Sequence, residues 1–181
     1  VEIGFKFGAN TTNQSFSRKD TSLVSTYKDI SEFVSIHFGV TSNIRLNDKL
    51  HLKPEIFYVM KGFSGRPSFS SLILKNAAAI STLAEYSIIP KLNVYGGLEW
   101  SYVFNHARLS SFGIESVEFL FKGRREFDLG ASIGFTFRFS KKWAADLRYN
   151  RSIVYDKETE NKVFERTIYL SLHRYFGKKE K

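Results

Sequence analysis

The sequence predicts an all-β protein, an eight-stranded antiparallel up-and-down transmembrane β-barrel with short turns at one end and longer loops at the other. Three observations carry this reading. Eight segments alternate apolar and polar residues with a period of two; their apolar faces are long and end in aromatics, with glycines and charges behind; and the connections are alternately short and long. A soluble sheet would turn its apolar face to a core. Here the crowding of glycine and charge on the opposite face suits a barrel that is greasy outside and polar inside.

The elements follow in order. Residues 2–16 place Ile3, Phe5, Phe7 and Ala9 on one face, with Glu2, Gly4, Lys6, Gly8 and Asn10 opposite. Over 32–46 the apolar face is Val34, Ile36, Phe38, Val40, Ile44 and Leu46, against Ser35, His37, Gly39, Thr41, Asn43 and Arg45. The third segment, 50–62, sets Leu50, Leu52, Ile56, Tyr58 and Met60 against His51, Lys53, Glu55 and Lys61. Pro54 cannot donate to a ladder, which predicts a local bulge there. The fourth, 76–89, is the weakest, with Ala78, Ile80, Tyr86 and Ile88 against Ser81, Glu85 and Ser87. The fifth, 92–104, is the clearest: Leu92, Val94, Leu98, Trp100, Tyr102 and Phe104 face away from Asn93, Gly97, Glu99 and Ser101. The sixth, 126–139, sets Phe127, Leu129, Ala131, Ile133, Phe135, Phe137 and Phe139 against Asp128, Gly130, Ser132, Gly134, Thr136 and Arg138. In the seventh, Trp143, Ala145, Leu147, Tyr149 and Ile153 face away from Asp146, Arg148, Asn150 and Ser152. The last, 163–176, sets Phe164, Ile168, Leu170, Leu172 and Phe176 against Glu165, Thr167, Ser171 and His173.

Asn47-Asp48-Lys49, Pro90-Lys91 and Ser140-Lys141-Lys142 have turn chemistry and hairpin length, whereas the connections at 17–31, 63–75, 105–125 and 156–162 are longer. Short periplasmic turns and long extracellular loops mark an outer-membrane barrel, and eight strands then leave both termini in the periplasm.

Bulk properties agree. The 181 residues fit one domain over 1–176 followed by a basic tail, 177–181. No run approaches the roughly 18 to 20 apolar residues of a spanning helix, whereas a barrel strand needs only about 9 to 11. Eighteen Phe and nine Tyr suit aromatic girdles. Without cysteine there are no disulfides or thiolate metal sites, and no two histidines have ligand spacing, so neither metal nor cofactor is expected. Strand pattern begins directly after Val1, as in a mature chain whose signal peptide has been removed.

Four runs carry a resemblance: Ile3-Gly-Phe-Lys-Phe-Gly-Ala-Asn10, Leu50-His-Leu-Lys-Pro-Glu-Ile-Phe-Tyr58 with Lys61-Gly62, Val94-Tyr-Gly-Gly97, and Asp146-Leu-Arg-Tyr-Asn150. In their order and spacing the chain resembles the outer-membrane beta-barrel domain family that includes the PorT-type barrels of Gram-negative bacteria. The resemblance covers nearly the whole chain and implies the architecture, with envelope assembly or protein secretion as the implied role; family members share a scaffold rather than one activity. Two departures stand out. Ala78-Ala79-Ile80-Ser81 replaces the Leu-Glu-Ile-Pro type of sequence common in strand four, and Phe176 is followed by Gly-Lys-Lys-Glu-Lys instead of ending the chain.

The polar faces collect Glu2, Glu55, Glu85, Glu99, Asp128, Asp146 and Glu165 with Lys6, Arg45, Lys53, Lys61, Arg138 and Arg148. Seven acids and six bases nearly cancel, and so narrow a barrel leaves little room beyond its side chains, so the set is expected to plug the lumen with ion pairs. The alternative is a narrow passive channel for water, ions or small solutes. A soluble lipocalin-like carrier is the rival fold; it would put Trp100, Tyr102, Phe135 and Phe137 inside and Glu99, Asp128 and Arg138 outside. Membrane anchoring is assigned to aromatics near the rims: Tyr86, Phe127, Phe139, Trp143, Tyr149, Phe176, Trp100, Tyr102, Phe104 and Tyr155.

Hydrolysis needs a nucleophile, a base and an orienting carboxylate within reach of one another. A cluster can be drawn from His106, Ser110 and Glu115, but its spacing is generic, a solvated loop histidine explains it, and no catalytic residue is assigned. The net charge of +9 is spread over both rims without a stripe of stacking aromatics, which argues against nucleic acid. Arg66, Lys75, Arg108, Lys122, Arg124 and Arg125 instead stand where lipopolysaccharide phosphates would lie. Partners are thus outer-membrane lipid and, at the 105–125 loop, a protein: Phe112–Phe121 has strand character and would extend strands five and six as a hairpin open to strand addition. A monomer is expected.

Overall fold

A computed structural model describes residues 1–16, 29–66, 71–110, 113–119, 126–155 and 162–176, and among these every element is a strand. In chain order they are β1 (Glu2–Phe16), β2 (Asp29–Arg45), β3 (Leu50–Arg66), β4 (Ser71–Ile89), β5 (Leu92–Ser110), β6 (Gly113–Phe119), β7 (Glu126–Arg138), β8 (Trp143–Tyr155) and β9 (Lys162–Tyr175). Antiparallel pairing runs from β1 through β5, passes from β5 to β7, and continues through β9, which pairs back onto β1. Eight strands therefore close on themselves, and β6 is an outlying ninth held by β5.

The register sets the dimensions. A row of partners starting at Phe5 passes Val40, Ile56, Ile80, Trp100, Leu129, Ile153 and Phe164 and re-enters β1 at Ser15, ten residues further on. With strands about 4.7 Å apart, that stagger tilts them by about 40° and makes a backbone cylinder of about 8 Å radius. Such a lumen is narrow enough for side chains from opposite walls to meet.

The pleat then decides what faces where. Trp100 is 61% exposed while its neighbour Glu99 is 3% exposed, and the same inversion holds at Phe127 and Asp128 or Leu147 and Arg148. The soluble-carrier arrangement is thus overturned: Phe135 and Phe137 lie outside, and Asp128 lies inside.

The turns are built as their residues dictate. Asn47 Oδ1 accepts from the backbone N–H groups of Lys49 and Leu50 at 2.9 and 2.8 Å, and Ser140 Oγ accepts from those of Lys142 and Trp143 at 3.2 and 3.0 Å. Both chain ends described lie at this turn end, where the N–H of Phe176 donates to the carbonyl of Ile3 at 2.7 Å.

Two expectations are corrected and a third is refined. No bulge forms at Pro54: pairing of β2 with β3 lapses after Thr41↔Glu55 and resumes at Ile44↔Leu52 in the same register, because a missing N–H removes a bond without inserting a residue. The fourth strand, weakest in its pattern, pairs with β3 without a break from Leu50↔Tyr86 to Gly65↔Ser71, while its register on β5 shifts between Asn76 and Ala77 and between Ser87 and Ile89. Finally, much of the expected loops at 63–75 and 105–125 is strand, because a ladder needs only backbone partners once it leaves lipid and its residues no longer have to alternate. Phe104 is the extra residue where the register of β5 on β4 shifts, between Ala77↔Val103 and Asn76↔Asn105.

Candidate functional site: a filled polar lumen and an external hairpin

Strands from opposite walls send charged side chains across the lumen. At its middle, the Arg148 guanidinium of β8 donates to Glu55 at 2.6 Å and to Glu99 and the Tyr95 hydroxyl at 3.4 and 3.3 Å. Lys6 donates to the same Glu55 oxygen at 2.7 Å and lies 3.7 Å from the centre of the Phe57 ring. Tyr169 donates to Glu99 at 2.8 Å, and Ser81 to Glu55 at 3.1 Å. A buried charge is tolerated only when paired and hydrogen-bonded, and here each carboxylate meets several donors.

Two further groups flank this layer. Toward the turn end, Lys53 bridges Asp146 at 3.3 Å and Glu85 at 3.8 Å, while Asn93 and Asn43 donate to Glu85 at 2.7 and 3.2 Å. Arg138 and Glu2, 2.9 Å apart and both partly exposed, stand at that mouth. Toward the loop end, Lys61 holds Glu165 at 2.6 Å and Asp128 at 2.9 Å.

Of the thirteen residues assigned to the lumen, twelve are in these groups and one is not. Arg45 is exposed at the turn, paired with Asp48, because it lies at the last rung of β2 where the wall ends. Lys75, expected at the outer rim, is instead buried on the lumen face, on the rung between Lys61 and His106. Arg66 and Arg108 are placed by backbone alone, in β3 and β5, and Lys122, Arg124 and Arg125 lie outside the described residues, as does the tail 177–181.

Sequence reading missed the apolar filling of the lumen. Phe57, Val59, Leu83, Tyr95, Tyr169 and Tyr175 point inward and are buried, the rings supplying faces to Lys6, Lys53, Arg138 and Arg148. One signal was available: Phe57 and Tyr95 stand on the polar phase of strands whose partners on that phase are charged.

The rim aromatics form contacts at both ends of the apolar band. Tyr102 meets Phe127 at 5.3 Å, Tyr58 meets Phe38 at 5.0 Å and Phe104 at 6.3 Å, and at the turn end Phe5 meets Phe176 at 5.4 Å while Arg174 covers Trp143. Tyr86 and Phe139 also face outward at the turn end, and Trp100 stands two residues below Tyr102. Tyr149 is a correction: it sits between Ile133 and Ile168 in mid-band, not at a rim. The Tyr155 side chain lies outside the described residues.

Two pairings of serine with histidine bear on hydrolysis. His106 and Ser110 are four residues apart on one strand, about 13 Å, too far for a hydrogen bond, and Glu115 is the extra residue where the register of β6 on β5 shifts. Inside the lumen, His37 lies 2.8 Å from Ser171 Oγ and 3.3 Å from Asn10 Oδ1, a base between hydroxyl and amide. All three are at most 3% exposed, so no acyl carbon reaches Ser171 in this state.

Along its length β5 pairs with β7 from Leu92 to Val103, within the closed wall, and then with β6 from Asn105 to Ser110. The β5–β6 hairpin thus continues the wall beyond its closed part. Residues 1–154 match the family described as outer membrane protein beta-barrel domain. The chain belongs to that family.

As a member of the outer membrane protein beta-barrel domain family, it is a protein of the bacterial outer membrane. Its fold is similar to that of Neisserial surface protein A (TM-score 0.65, 15% identity, 96% of this chain and 97% of that one). It is also similar to Ail of Yersinia pestis, solved with the heparin analogue sucrose octasulfate (0.60, 15%, 97% and 98%), and to OprG from Pseudomonas aeruginosa (0.54, 11%, 98% and 96%). At such identities the likeness carries the fold alone. No curated protein sequence matches the chain.

Proposed function

We propose that this barrel is a closed, non-enzymatic, monomeric platform in the outer membrane, oriented with turns and termini in the periplasm, that works through its external hairpin. The observation that carries the reading is the handover of β5 from β7 to β6: β6 has β5 on one edge and no partner strand on the other among the described residues. An open edge at a membrane surface is a template for an extended segment of a partner protein, which would add backbone hydrogen bonds to β6. The role fits envelope assembly, secretion or surface interaction. The filled lumen supports it by leaving little room for solute, and basic residues of the loops would face lipopolysaccharide phosphates.

The test is photo-crosslinking in intact cells from Ser116, in β6, and from Asp48, in a turn, in the full chain and in a variant lacking residues 110–122. A protein adduct from Ser116 alone, with partner function lost on deletion, supports the reading. Unchanged surface interactions after deletion overturn it.

A further inference from the structure

Polar atoms left without a hydrogen-bond partner are not scattered through the lumen. Toward the turn end they are the Tyr175 hydroxyl, both ring nitrogens of His173 and Asp146 Oδ1, the last facing His173 Nε2 at 3.9 Å; toward the loop end they are Asp128 Oδ1, Ser152 Oγ and Asn105 Oδ1. Chain order separates the two groups without further geometry. Along β8, Asp146 precedes Arg148 and Ser152 follows it; along β9, His173 and Tyr175 lie on the turn side of Tyr169; along β5, Asn105 lies on the loop side of Glu99. Between them the layer of Lys6, Glu55, Glu99, Arg148 and Tyr169 has no such atom among the described residues, and Phe57 and Leu83 pack it.

Buried polar groups without a protein partner take water. We propose that the lumen holds two water-filled chambers, one behind each mouth, and that the Arg148–Glu55 layer is the single barrier between them and so the gate of a latent cation path. This rests on the closed-lumen reading above and names what closes it. Among the described residues, Arg148 is the one side chain that bonds Glu55, Glu99 and Tyr95 together, spanning β3, β5 and β8. Among the described residues the buried charges are six carboxylates and five Lys or Arg. Removing Arg148 opens space and leaves the carboxylates further in excess, which favours a cation over an anion.

The experiment is planar-bilayer conductance of refolded protein, each variant first shown to be folded by its heat-dependent gel shift. The wild type is expected to be silent and Arg148→Ala to give reproducible unitary steps, with a reversal potential in a KCl gradient displaced toward potassium. Glu55→Gln, which keeps the volume but removes the charge that holds Arg148 and Lys6, is expected to give steps as well and decides the matter if Arg148→Ala does not refold. Lys61→Ala, in the loop-side chamber, is expected to stay silent. Folded but silent Arg148→Ala and Glu55→Gln proteins overturn the gate, as do steps of equal size from Lys61→Ala; an anion-selective Arg148→Ala pore overturns its assignment as a cation path. Conduction by the wild type would overturn the closed-lumen reading itself.

Discussion

The Tyr95 ring lies against the backbone of Gly134, its direct partner on β7, so closely that a Cβ at Gly134 would collide with the Tyr95 hydroxyl as well as with the backbone carbonyl of Leu147 on β8. The glycine is what lets an aromatic side chain lie flat across the wall and bring its hydroxyl to Arg148 at 3.3 Å. Gly134→Ala is therefore expected to lower stability by about 1 to 3 kcal/mol, the usual cost of overpacking. Urea unfolding in lipid vesicles, followed by tryptophan fluorescence, measures it. A loss no greater than at the outward Gly96, where an added Cβ meets only the Ser132 carbonyl at 3.7 Å, would show that both the Tyr95 ring and the β8 backbone at Leu147 give way at little cost.

Lys61 stands between two carboxylates, 2.6 Å from Glu165 and 2.9 Å from Asp128, with all three buried. Lys61→Met leaves those acids facing each other, and an expected cost of about 3 to 5 kcal/mol follows from breaking a buried ion pair. The exposed Arg45–Asp48 pair offers the comparison, since Arg45→Ala should cost less than about 1 kcal/mol. Similar losses at the two sites would contradict this account of the lumen.

On the outer face, Ile133 is 65% exposed and sits between Gly96 and Tyr149 in mid-band. An arginine at such a position costs about 2 to 4 kcal/mol in a bilayer, against about 0 to 1 near an interface. Folding into vesicles should thus suffer in Ile133→Arg far more than in Leu46→Arg, which is at the turn end; equal effects would mean that the apolar band does not face lipid.

Orientation can be read directly because the chain has no cysteine to mask a reporter. Asp48→Cys, in the turn between β2 and β3, is expected to resist a membrane-impermeant maleimide on intact cells and to react only after the envelope is opened. Ser116→Cys, in β6, is expected to react on intact cells. The reverse pattern would turn the barrel over and remove the surface role of the hairpin.

Alternation is a property of neighbours in the chain, and lipid outside with charge inside is what a short repeat can encode. On that basis the eight strands, the three turns and the inward placement of residues such as Lys53, Glu55, Asp146 and Arg148 were legible before any partner was known. Arg45 and Tyr149 show where a two-residue period is blind: it assigns a face but not a height, and whether a residue stands at a rim or in mid-band depends on the stagger of the strands.

That this chain is a membrane barrel, and which side of each strand meets lipid, follows from the order of its residues, because the solvent acts on every residue locally. Chain folding in three dimensions is needed for Glu55 to meet Arg148, 93 residues away, for Phe57, Tyr95 and Tyr169 to pack around them, and for β5 to leave β7 for β6. Those outcomes depend on a shift of ten residues accumulated around the closed wall, a quantity that exists only once the last strand pairs with the first.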